Sequence, residues 1–188
     1  MSKKRKKAAD LNDAAIMERA KSMAIDWMCA ISLQHDRIVN PRPQDQSFNP
    51  FGQNILNETD VHFLVIALRR LRTIATTLEH VPQHWSTIRP AIDEFDNKLP
   101  WLKRLRDVFE HLEDYAVDST SRRSSTSRCE LQVWSSNEDG MNWLGYNVNW
   151  EKAYEAAKDL YATVKEVSDA FIAQTRQLGD YIQKKDSG

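Results

Sequence analysis

Arg106, Asp107, Glu110 and His111 fall within the run Arg106-Asp107-Val108-Phe109-Glu110-His111. Their types suit phosphate chemistry: an imidazole passes protons near neutrality, and a guanidinium meets phosphate oxygens in a planar fork. On a helix the spacing works twice. Asp107 can hold the imidazole of His111, and Arg106 can pair with Glu110, because residues at i and i+4 are neighbours. On a wheel of about 100° per residue with Arg106 at zero, Leu102, Leu105, Phe109, Leu112 and Ala116 gather between about −40° and −120°. Asp107, Glu110, His111 and Asp114 gather between about +40° and +140°. The spacing therefore predicts one dry face and one wet face carrying the histidine. It fits equally a solvated face whose ion pairs contribute a few tenths of a kcal/mol. Arg104, two turns before His111 on nearly the same face, is a rival for the phosphate role.

Helical periodicity surrounds this run. From Leu11 to about Ile38, Ile16, Met23, Trp27, Ala30, Ile31 and Ile38 recur at three- and four-residue steps and predict a long first helix. Asn40-Pro41-Arg42-Pro43 stops it, and a Pro/Asn/Gln-rich loop runs to Asn57. A second helix, from Thr59 or Asp60 through Leu78, is apolar enough for a central position. Pro82 ends it, and a short helix near Pro90 to Lys98 follows. Pro100 then opens the fourth helix, which carries the motif to about Asp118.

Between Ser119 and Asn149 the helical period disappears. Residues 119–128 are rich in Ser, Thr and Arg. Cys129, Leu131 and Val133, then Leu144, Tyr146, Val148 and Trp150, alternate with polar or outward residues on either side of Asp139-Gly140, which predicts a β-hairpin over about 128–149. Asn149 is placed to cap a last helix from Trp150 to about Lys184. The expected architecture is an all-α bundle of four to five helices with an inserted hairpin: a disordered basic tail over 1–8, one helical domain over 9–184 and a disordered C-terminus over 185–188.

Composition narrows the class further. The chain has 188 residues, 41% hydrophobic and 28% charged, with 5 Gly and 6 Pro, values that exclude collagen, a disordered chain and a disulfide scaffold. The longest apolar run, Phe63 to Leu68, is far short of the roughly 20 residues of a membrane span. No secretory signal follows the basic start, so a cytoplasmic protein is expected. Lys3, Lys4, Arg5, Lys6 and Lys7 supply five of the 26 positive charges, which makes a basic arm on an acidic body. Cys29 and Cys129 have no Cys-x-x-Cys spacing and read as reduced, buried thiols. His80 and His84 are split by Pro82 and do not align on a metal; no metal or cofactor is expected. His35 and His62 read as surface or satisfied core groups, and the tryptophans mainly as core.

The string Arg106-Asp107-Val108-Phe109-Glu110-His111, with its continuation through Tyr115-Ala116, resembles the motif of the HEPN superfamily: an arginine, a polar residue and, four to six positions on, a histidine, on a helix of an all-α bundle. The resemblance covers the motif helix closely and the bundle in outline. Some toxins of that family carry a tyrosine two residues after the histidine; here Glu113 stands there, with Tyr115 four residues on. What the resemblance implies is a metal-independent endoribonuclease, active as a homodimer, often a toxin paired with an antitoxin or an effector of phage defence. Arg106 and His111 would be catalytic and Asp107 would orient His111. Arg104, Glu110, Tyr115, Arg122 and Arg123 would lie along bound RNA, the last two in a basic loop with Arg128. Arg106 and His111 point about 140° apart on the wheel, so two copies meeting across a two-fold axis would build one composite cleft. The alternative is a non-catalytic module of the same fold that binds RNA, a nucleotide or a protein; a third reading is a helical interaction protein unrelated to RNA.

Overall fold

The computed structural model describes residues 3–40, 54–81, 84–116, 130–131, 134–137 and 139–186. Two helices of 37 residues, α1 (Lys3–Val39) and α6 (Trp150–Asp186), pack along each other. Between them in sequence come α2 (Asn54–Thr77), a 3₁₀ turn (Leu78–His80), α3 (Trp85–Lys98), α4 (Leu102–Glu110), α5 (Leu112–Ala116) and three short strands, β1 (Trp134–Ser136), β2 (Gly140–Trp143) and β3 (Tyr146–Asn149). The chain is thus a helical bundle with a small antiparallel sheet set before the last helix. None of the described helices is long and apolar enough to cross a membrane.

α2 lies at the centre. Val61, Leu64, Val65, Ala67, Leu68, Leu71, Ile74 and Ala75 are all buried, a band too broad for one contact, and α2 packs on α1, α3, α4 and α6. On α1 the buried stripe is Met17, Ala20, Ala24, Met28 and Ile31. It is turned in part from the expected one: Ile31 and Ile38 are buried as expected and Ile16, Trp27 and Ala30 pack at the edge of the core, but Met23 and Cys29 are exposed. Small alanines explain the turn: Ala20 and Ala24 on α1 and Ala153, Ala156 and Ala157 on α6 are buried and let backbones approach, an advantage that a ranking by side-chain hydrophobicity overlooks.

Element boundaries also move. α1 is helical from Lys3, through the basic run assigned to a tail. α2 begins at Asn54, and α3 begins at Trp85 with Pro90 inside it. The sheet has three strands in the order β1-β2-β3, with Ser136 opposite Met141 and Met141 opposite Val148. Asn137 Oδ1 accepts the Asp139 and Gly140 backbone N–H groups at 3.1 and 2.9 Å, shaping the first turn. The second turn is Leu144-Gly145, with φ of 53° and 78°, the two positive values that a two-residue hairpin needs to match strand twist. Leu131, expected in the first strand, has helical backbone. Met141, Trp143, Val148 and Trp150 face the core. Asn149 Oδ1 accepts the Lys152 N–H at 2.8 Å, the expected cap of α6.

Candidate active site at the break between α4 and α5

The helix expected to run unbroken from Pro100 to Asp118 is interrupted at the motif histidine. α4 ends at Glu110; His111 takes φ −135° and ψ 34°, and α5 restarts at Leu112. The break resets the helical phase. Leu102, Leu105 and Val108 are buried as a stripe, but Leu112, expected on that stripe, is 48% exposed, while Tyr115 turns inward to 1%. In a continuous helix residues 107 and 115 would be separated by about 12 Å of rise. Here the Tyr115 hydroxyl donates to Asp107 Oδ2 at 2.5 Å and accepts from Arg104 Nη1 at 3.2 Å, with the Arg104 guanidinium 5.4 Å from the tyrosine ring centre.

This network redistributes the expected partners. Asp107 is held by Tyr115, and the carboxylate beside His111 is Asp114, with Oδ2 4.0 Å from Nδ1. The His111 side chain is 34% exposed, so solvent reaches it. Arg106 pairs with Glu110 as the spacing predicts. Arg104, the rival for phosphate, is engaged with the Tyr115 ring and hydroxyl, and Tyr115, expected along the substrate, is buried. Arg122 and Arg123 lie outside the described residues, as do Arg128 and Cys129.

Three residues of α2 join the site: Arg69 and Arg72, which the sequence does not mark out, and His62, expected as a surface or satisfied core group. α2 packs on α4, and Arg69, half-buried, is held below the ordinary guanidinium range by burial and then by the neighbouring Arg72 and Arg106 charges. Arg72 binds Asp96 bidentately, Nε to Oδ1 at 2.9 Å and Nη2 to Oδ2 at 2.6 Å. Arg69, Arg72 and Arg106 thus form a guanidinium cluster that shares Asp96 and Glu110 as counter-charges, with Glu79 and Asp93 acting further on Arg72. Burial also holds the His62 imidazole below its ordinary value, with Glu110 pulling the other way. At neutral pH it is the uncharged form that stacks on Phe109. The signal was present in part, since His62 and Arg69 are seven apart and share a helix face; that this face meets α4 is a tertiary fact.

Two further histidines make ring contacts. His35 stacks on Tyr154 with centroids 4.5 Å apart, and His84 lies edge-on to Phe171 at 5.5 Å. Among the described residues no group of three or more His, Cys, Asp or Glu side chains gathers in a way that could hold a metal. Of the tryptophans, Trp101, Trp143 and Trp150 are buried, and Trp85 is exposed with Arg89 5.9 Å from its ring centre. Compared with known proteins, the chain matches no family model, no curated protein and no solved structure.

Proposed function

We propose that this chain is a metal-independent endoribonuclease of the HEPN type, working in the cytoplasm as a homodimer in which each copy contributes Arg106 and His111 to a shared cleft. The observation that carries the reading is a solvent-reachable imidazole at the break between two helices, five positions after an arginine whose charge acts on the Arg69 of the neighbouring helix. His111 accepts the proton of a ribose 2′-hydroxyl, and the 2′ oxygen attacks the adjacent phosphorus. Arg106 offsets the charge that builds on the equatorial oxygens. The second copy's histidine protonates the departing 5′ oxygen, so the dimer supplies the acid as well as the base. Asp114 steadies the charged imidazole, and Asp107, fixed by Tyr115, shapes the turn that presents it. Such an activity fits a toxin restrained by an antitoxin or an effector of phage defence.

The test is cleavage of total RNA in excess chelator, alongside the mass of the protein in solution. The expected result is a dimer whose cleavage survives chelation and falls at least about 100-fold in His111→Ala and Arg106→Ala. Equal cleavage by wild type and His111→Ala, or no cleavage by either, overturns the reading.

One feature favours a second reading. Arg106 is already closed by Glu110, as suits a module that binds RNA, a nucleotide or a protein without cutting. That reading expects RNA binding with intact RNA.

A further inference from the structure

Beside the motif, α2, α4, α5 and β2 line an open cavity of about 350 Å³, within the range of small-molecule sites. Its walls include Val61, His62, Phe109, Met141 and Trp143, with Glu58 at the rim. Three of these rings are in contact. His62 and Phe109 are nearly parallel, with centroids 4.7 Å apart and planes 13° apart; Phe109 and Trp143 follow at 4.8 Å and 48°. Trp143 is locked by its Nε1, which donates to the Leu131 carbonyl at 3.2 Å. Aromatic walls fixed in this way offer a stacking surface already ordered before a ligand arrives.

We infer that this cavity receives one nucleobase of the RNA strand whose phosphate lies at Arg106. Three observations select that occupant. No Lys or Arg is among the described residues lining the cavity, so it suits a neutral ring and not the phosphate itself. A cation stands next to it, because Phe109 is the i+3 neighbour of Arg106 on α4 and Glu110, the partner of Arg106, acts on His62 in the cavity wall. The rim carboxylate of Glu58 is exposed and accepts hydrogen bonds only, so it favours adenine, guanine and cytosine, whose exocyclic amines donate freely, over uracil, whose one base N–H is flanked by two carbonyl oxygens that repel a carboxylate. The site would thereby set which nucleotide is cut. The inference rests on the endoribonuclease reading for the strand's identity, whereas occupation of the cavity is tested without RNA.

The probes are adenosine, guanosine, cytidine and uridine, which carry no phosphate, titrated into the full chain while the Trp143 indole resonance is followed by NMR, its assignment made with Trp143→Phe. Saturable shifts are expected, with uridine the weakest. His62→Ala should weaken binding about tenfold, the loss of one stacking partner, and His62→Phe should restore it. Glu58→Ala, on an exposed side chain, should abolish the preference for amino-bearing bases. Lys165→Ala, an exposed change on α6 away from the cavity, should bind nucleosides as wild type does. Absence of saturable binding by all four, or unchanged binding in both His62→Ala and Glu58→Ala, overturns the inference. Cleavage of RNA without nucleoside binding sinks the cavity alone; nucleoside binding with no His111-dependent cleavage sinks the endoribonuclease reading alone.

Discussion

The Tyr115 hydroxyl donates to the Asp107 carboxylate at 2.5 Å across the break in the motif helix. A buried ring, 1% exposed, therefore ties α5 to α4, and the residue between them, His111, is held in a non-helical conformation. Tyr115→Phe keeps the ring and removes the tie. It should cost about 1–2 kcal/mol in urea unfolding, at the lower end for a bond to a charged group because Asp107 is half-exposed. If the break positions His111, the same variant also lowers RNA cleavage more than it lowers stability at the assay temperature.

Acid should weaken the fold through His62 and His84. Burial holds both imidazoles below the ordinary 6.5. As pH falls through 6.5, the unfolded chain takes up protons that the folded chain resists, and stability drops until the folded-state values are passed. Above 6.5 both states are neutral and this contribution is flat. The urea midpoint is expected to be lower at pH 5.5 than at pH 7.5, and His62→Phe should shrink the difference. An unchanged difference in that variant would remove His62 from the account.

Arg69 tests the guanidinium cluster. In a His111→Ala background, which prevents turnover, Arg69→Ala should reduce the slope of log affinity for single-stranded RNA against log salt by about 0.7, the loss of one phosphate contact. Stability should change little, because Arg72 keeps Asp96 and Arg106 keeps Glu110. An unaltered slope places Arg69 outside the RNA path.

The sheet offers two glycines with opposite reasons for being glycine. A Cβ on Gly140 would sit 1.9 Å from the Val148 carbonyl oxygen, within the β2–β3 ladder. Gly140→Ala must push the strands apart and should cost about 3 kcal/mol or more. Gly145 meets nothing within 4 Å but has φ of 78°, so Gly145→Ala should cost only about 1–2 kcal/mol of left-handed strain. Thermal melts of the two variants should rank in that order.

At the start of α6, Asn149→Ala removes the acceptor of the Lys152 N–H. A loss of about 1 kcal/mol is expected, or roughly 2–4 °C in Tm for a chain of this size.

What the sequence determined by itself is the content that acts over a few neighbouring residues. The 3.6-residue period made the helices, Asn149 capped the last of them, and Arg106 and Glu110 met because four positions make one turn. The central place of α2 was legible too, since its apolar band is too wide for one partner. Only the tertiary structure decided the rest, because those relations depend on which faces meet. Ala20 and Ala24 turned the α1 stripe when α6 packed close. Burial of Tyr115 came with a phase reset at His111 that no helical wheel contains, and it set the tyrosine hydroxyl on Asp107. The packing of α2 on α4 brought Arg69 to the charge of Arg106 and His62 onto Phe109, joining residues about forty positions apart through contacts that local spacing does not encode.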